Sequence, residues 1–251
     1  MARPQVEPVP DEPVATATID GERTLIVADY HAGIEVSLRW EGVEIDSHAT
    51  DRREHLLELV TRTGADQVVF LGDMVTAIGH AEREEQAEIE ALLDALRPAV
   101  DIILVKGNHD AEIEDHIDVP VTPTEGVRLG DIGFAHGHTW PAPEVLRAKV
   151  VCVAHEHPVV RLEDDVGGRQ IERAWLRGRL NPDGFLTTDR YDDVAAFTGD
   201  LVVFPAYNDL TGGTWINVDG QAFLSPFLPD GLTDGQAYLL DGTRLGAYRR
   251  I

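Results

Sequence analysis

Five short clusters of Asp, Asn and His carry the side chains best able to do chemistry: Asp29-Tyr30-His31, Gly72-Asp73, Gly107-Asn108-His109-Asp110, His136-Gly137-His138 and Ala154-His155-Glu156-His157. Six of the ten histidines lie within them. Carboxylate and amide oxygens mixed with imidazole nitrogens suit Mn²⁺, Fe, Zn²⁺ or Ni²⁺ better than Ca²⁺. An Asp-x-His or His-x-His pair leaving a strand sends both side chains to one side. Seven candidate ligands (Asp29, His31, Asp73, Asn108, His136, His155 and His157) exceed what one tetrahedral zinc site uses. Two metals sharing a bridging carboxylate is the economical reading. A lone Gly-Asp, or Asn-His-Asp alone, is no more than a turn, and the weight rests on the ordered set.

The elements that must position these clusters are legible beside them. Apolar runs at 24–28, 67–71, 101–105, 132–135 and 150–154 each lead directly into one cluster and read as buried strands. Residues 51–63 carry Leu56, Leu57 and Val60 at helical spacing and stop before Gly64. Residues 82–96, with Ile89, Leu92, Leu93 and Leu96 on one side, predict an amphipathic helix stopped by Pro98. Residues 141–149 read as one helix or turn. This βαβ rhythm predicts an α/β fold with a largely parallel, covered sheet, whose ligands bind at the carboxyl ends of the strands. The five clusters should therefore meet in space. Beyond Val159 the pattern is shorter and strand-like, at 174–176, 201–204 and 235–240. The expected organisation is a loose leader over 1–20 and one domain over 21–251, with a core at about 24–160 and a strand-rich part at about 161–251.

The 251 residues, 43% of them hydrophobic, are enough for a folded core. The start of the chain lacks a basic region followed by an apolar run, and no stretch approaches the ~20 apolar residues that span a bilayer. The single cysteine, Cys152, lies in an apolar run and reads as a buried strand thiol. A cytoplasmic protein is expected. Forty-five acidic residues against 21 basic ones give a formal net charge of −24, and only Lys106 and Lys149 are lysines. So dispersed a surplus is tolerable where high salt screens it, and reads as adaptation to a halophile's cytoplasm. It excludes holding nucleic acid by non-specific backbone attraction at low salt.

The ordered set D-x-H, G-D, G-N-H-D, H-G-H and x-H-x-H resembles the calcineurin-like metallophosphoesterases, over 24–159. The H-G-H and H-E-H-P pair, with Phe204-Pro205-Ala206-Tyr207-Asn208 and Gly212-Gly213, is similar to archaeal phosphoesterases related to the nuclease subunit Mre11/SbcD. That tail also resembles the bacterial ligase-associated phosphoesterases. The resemblance implies a metallophosphoesterase-type β-sandwich flanked by helices, with a strand-rich C-terminal extension. It implies that Asp29, His31 and His157 hold one divalent transition metal, Asn108, His136 and His155 a second, and Asp73 bridges both, with Mn²⁺ first among the candidate ions. His109, no ligand itself, would donate a proton to the leaving oxygen or steady its charge, and Asp110 would orient a neighbouring histidine. The chain departs from the family pattern at Ala154, usually Gly, and at Met74 and Val75, where a further polar residue sometimes stands.

Around this set the reading stays open. His138 contacts substrate, supports a ligand or fills space, and Tyr30 lines the mouth of the site or is a packed aromatic. Arg177 and Arg179 grip a phosphate or, the better reading, pair with surface charges. Glu156 reads as solvated, and His48, His55, His80 and His116 as surface or structural. The function expected is metal-dependent phosphoester hydrolysis by a two-metal-activated hydroxide, phosphodiesterase or nuclease-like first. Phosphomonoesterase or cyclic-nucleotide hydrolysis comes second, and a non-catalytic scaffold with this fold is the rival from another class. A phosphoester substrate, nucleotide or nucleic acid, is the expected partner; the oligomeric state is not legible.

Overall fold

The computed structural model describes residues 5–77, 83–163 and 166–251. In chain order the strands are β1 (Glu7–Pro8), β2 (Val14–Ile19), β3 (Glu22–Val27), β4 (Gln67–Leu71), β5 (Asp101–Val105), β6 (Val127–Leu129), β7 (Ile132–Ala135), β8 (Val150–Val153), β9 (Val159–Glu163), β10 (Arg169–Leu180), β11 (Asp200–Val203), β12 (Leu232–Leu239) and β13 (Arg244–Ala247). The helices are α1 (Ile34–Trp40), α2 (Ala49–Thr63), α3 (Arg83–Leu96) and α4 (Pro143–Leu146). One sheet runs β1-β2-β3-β4-β5 and the other β13-β12-β10-β11-β8-β7-β6, with β9 paired to β10. Within them β3-β4-β5 and β7-β8-β11 are parallel.

The two sheets form a sandwich because their strands are apolar on both faces. In β3 and β4, Leu25, Val27, Val68 and Phe70 face α2 and α3, while Ile26, Val69 and Leu71 face the other sheet. In β8, Val150 and Cys152 meet that inner layer and Val151 and Val153 the outer one. Trp175 fills the middle of the inner layer, its ring 4.7 Å from that of Phe204. Each such fully buried side chain contributes about 1.5–3 kcal/mol. Gly64 closes α2 in the left-handed conformation at φ 63°, as its position predicts.

Two expectations are corrected, and one element was not foreseen. Residues 5–20 are not a loose leader: β2 pairs along its whole length with β3, and Val14, Ala15, Ala17 and Ile19 are buried. Alternating Thr and Ala in β2 gave too weak an apolar signal, and the tight turn at Asp20-Gly21 supplies the register. The segment around 174–176 belongs to a 12-residue strand, β10, that pairs with three neighbours. Helix α1, directly after the first cluster, had no counterpart in the sequence pattern. Glu82, expected to open α3, and His80 lie outside the described residues.

Candidate metal centre

All five clusters leave the carboxyl ends of strands, β3, β4 and β5 in one sheet and β7 and β8 in the other, and they converge at one edge of the sandwich. The backbone there is unusual. Asp29, His31, Asp73, His155 and His157 all take positive φ, between 43° and 68°. A non-glycine residue in this left-handed region costs of order 1–3 kcal/mol. Five of them together at one place are held by their surroundings, which is how strained functional sites are built.

Two glycines allow the close approach. At Gly72 a Cβ would lie 2.1 Å from His136 Nδ1, and at Gly107 one would lie 2.2 Å from Asp73 Oδ1. Asn208 ties the first cluster down from the far side: its Nδ2 donates to the carbonyls of Tyr30 and His31, both at 3.1 Å. Behind that cluster, buried Arg52 forks onto Glu35 and Glu88, and Glu88 accepts from the Gly33 N–H at 2.8 Å, so α1, α2 and α3 meet under the His31 loop.

Two groups of donor atoms gather there, Asp29/His31/His157 and Asp73/His136/His155, each with its donors within 4.8 Å of one another. His157 Nε2 stands 3.3 Å from Asp29 Oδ1 and 3.5 Å from His31 Nε2. His136 Nε2 stands 3.2 Å from both Asp73 Oδ2 and Asn108 Oδ1. Asp73 Oδ2 is also 3.9 Å from His31 Nε2, between the two groups. The ring nitrogens facing away are seated on carbonyls, His136 Nδ1 on Leu71 and His157 Nδ1 on Gly212, both at 3.0 Å. That leaves each Nε2 turned inward.

Electrostatics make this a place for cations. Burial would raise the Asp29 carboxyl, but His157 and His136 outweigh it and hold it below the usual carboxylate range. Burial acts likewise on Asp73, where His136, His109 and His31 prevail. His136 is disfavoured by burial as a cation, yet Asp73 and Asp29 raise it to about 9. Burial lowers His31 and His155 to about 4, so both present neutral, donating rings. Both carboxyl oxygens of Asp29 are buried without a hydrogen-bond partner in the protein. Orphaned anionic oxygens, gathered with the neutral rings of His31 and His155, are a donor set that fits divalent metal ions.

The neighbouring residues divide. His109 takes a different direction from Asn108: its N–H bonds Asp73 Oδ1 at 3.0 Å, its Nδ1 lies 2.5 Å from the Thr76 carbonyl, and its Nε2 is 3.8 Å from Asp73 Oδ2. His138 lies at the rim, its ring 5.4 Å from His136, with Nδ1 buried and unpartnered. Asp110 orients no histidine directly; it accepts backbone N–H groups from Gly107, Met74 and Val75, tying the β4 and β5 exits together. Tyr30 does not line the mouth: it is fully buried, stacked on Tyr207 at 5.7 Å and edge-on to Phe70. Arg177 donates to the Val6 carbonyl between the sheets. Arg179 sits opposite Asp200 at the amino end of β11, away from the centre. Neither arginine forms an ion pair among the described residues. Glu156 is not solvated but fully buried, accepting from Thr214 Oγ1 and the Leu224 and Ser225 N–H groups. His55 stacks on Tyr207, while His48 and His116 are exposed. Cys152 is a buried free thiol.

Residues 22–178 match the calcineurin-like phosphoesterase family, more than half of the chain, and the chain belongs to that family. The family uses a binuclear divalent-metal site, and the two donor groups supply its counterpart here. The nuclease MPE of Pseudomonas putida is similar in structure, at TM-score 0.59 and 19% identity over 96% of this chain and 100% of that one. Yfce, a phosphoesterase from E. coli, is a more distant likeness, at TM-score 0.35 and 23% identity over 56% of this chain and 73% of that one. At 19% identity the likeness to the P. putida nuclease speaks for the fold. No curated protein matches the sequence. Among the described residues no helix is long and apolar enough to cross a membrane.

Proposed function

We propose that this chain is a metal-dependent phosphodiesterase of nuclease-like type. Asp29, His31 and His157 would hold one ion, Asn108, His136 and His155 a second, and Asp73 would serve both, with Mn²⁺ the preferred metal. The observation that carries the reading is the convergence of these seven donors from five strand ends in two sheets, five of them on left-handed backbone. That the P. putida neighbour is a nuclease favours a diester over a monoester.

When bound, the two ions supply a water of lowered pKa and draw charge from the ester oxygens. The protein's own part is positional. Asp73, anchored by the His109 N–H, keeps one oxygen turned to both donor groups. His109, seated by the Thr76 carbonyl through Nδ1, keeps Nε2 toward the centre, where a proton on it meets the departing alkoxide.

Purified protein should bind two divalent transition metals per chain, and chelation should abolish hydrolysis of an aryl phosphodiester. Asp73→Ala should cost more metal and more activity than loss of any outer ligand. Metal analysis by mass spectrometry of active protein decides it; one tight metal, or none, refutes the proposal.

A further inference from the structure

Next to the donor groups a cavity of about 230 Å³ opens between β10 and the segment after β11, lined by His157, Glu172, Arg173, Asp209, Thr211 and Gly212. Arg173 is the cation in it that the sequence reading passed over. The β9–β10 ladder sets it opposite Val159, two residues beyond His157. Its Nη1 donates to the carbonyls of Ala206 and Tyr207 at 3.1 and 3.2 Å, which fixes the plane of the fork. A guanidinium has five N–H donors, and that seat occupies one nitrogen. Among the described residues no carboxylate reaches it within ion-pair distance, in a chain with 45 acids. Burial weighs on its charge, and Asp209, Glu12 and Glu172 offset that only from a distance. A half-buried cation held rigidly by carbonyls, with no counter-ion, is a costly arrangement unless an anion visits it.

We infer that Arg173 binds a second phosphodiester group of the substrate, one link away from the bond that is cut. The inference rests on the two-metal reading and narrows the substrate to a chain of phosphodiesters, such as single-stranded nucleic acid. The two rim carboxylates, Glu172 and Asp209, shape the choice. Their negative charge opposes a dianionic terminal phosphate more than a monoanionic diester beside one guanidinium. Because the molecule as a whole repels polyanions, a fixed local cation is what lets such a substrate settle.

The test is the affinity of Mn²⁺-loaded protein for a fluorescein-labelled thymidine oligomer with cleavage-resistant phosphorothioate links, read by anisotropy over a tenfold range of KCl. Arg173→Ala should weaken binding about tenfold and make the slope of log K against log salt shallower by about 0.7, one phosphate on a single strand. Arg173→Lys should restore most of the slope while losing part of the affinity. An unchanged slope in Arg173→Ala overturns the inference, whether or not affinity or melting temperature falls, because Arg173 then only braces the 206–207 turn. A wild-type protein that does not hold the oligomer overturns it too. Hydrolysis of an aryl phosphodiester by the same preparations reads the two-metal proposal separately.

Discussion

His109 is the residue at which metal binding and bond cleavage part company. Its neighbour Asn108 turns its amide oxygen toward His136, whereas the His109 ring is drawn by the Thr76 carbonyl and presents Nε2 beside Asp73. Removing that imidazole takes nothing from either donor group. His109→Ala should keep both metals and the melting temperature and lose about 10²–10⁴-fold in hydrolysis of an alkyl diester. The loss should be smaller with a p-nitrophenyl leaving group, which departs without a proton. Metal analysis and steady-state kinetics on the two substrates check it; equal impairment on both, or a lost metal, contradicts the role. The donor residues were legible because type, order and position after apolar runs agree. What surrounds them was not. Glu156 looks solvent-facing in a polar motif and Tyr30 reads equally as mouth or core, yet both are buried by partners more than 50 residues away in the chain. Arg173 belongs to no motif, and only the ladder with β9 brings it beside His157.

Among the elements, the turn between β8 and β9 depends on a segment far along the chain. Glu156, between two proposed ligands in left-handed backbone, accepts from Leu224 and Ser225 N–H at 3.0 and 2.7 Å and from Thr214 Oγ1 at 2.9 Å. The buried carboxylate thereby fixes residues 214–225 against the centre. Glu156→Ala leaves those donors unpaired and should destabilise the fold by about 3 kcal/mol. It should also weaken metal affinity, because His155 and His157 lose the anchor that holds their φ values. Urea denaturation and metal titration measure the two effects; a variant as stable as wild type argues against the anchor. Strands β4, β5 and β7 fall on the predicted runs because uninterrupted apolar sequence admits little else there. The strand β2 and helix α1 were missed for opposite reasons. The first is apolar mainly through small residues, and the second is too short to show a period and is fixed by the Arg52 fork onto Glu35 instead.

For the whole molecule, charge is the dominating term. Among the described residues only seven carboxylates are buried (Asp29, Glu35, Asp73, Glu85, Glu88, Asp110 and Glu156), so nearly all of the acidic surplus is on the surface. Self-repulsion of this size weakens the fold unless salt screens it. The melting temperature should rise steeply from low to molar KCl, and a flat or falling curve in calorimetry would refute adaptation to salt while leaving the phosphoesterase family untouched. The division of the strands between two sheets has another consequence, which concerns time. Every strand of the first sheet lies before residue 106 and every strand of the second after residue 126. A chain emerging from the ribosome can therefore complete the first ladder before the second begins. The proposed donors arrive in that same order, Asp29, His31, Asp73 and Asn108 early, His136, His155 and His157 late. Neither triad of donors is whole until the second half has been made, so the nascent first sheet cannot capture a metal in its final geometry.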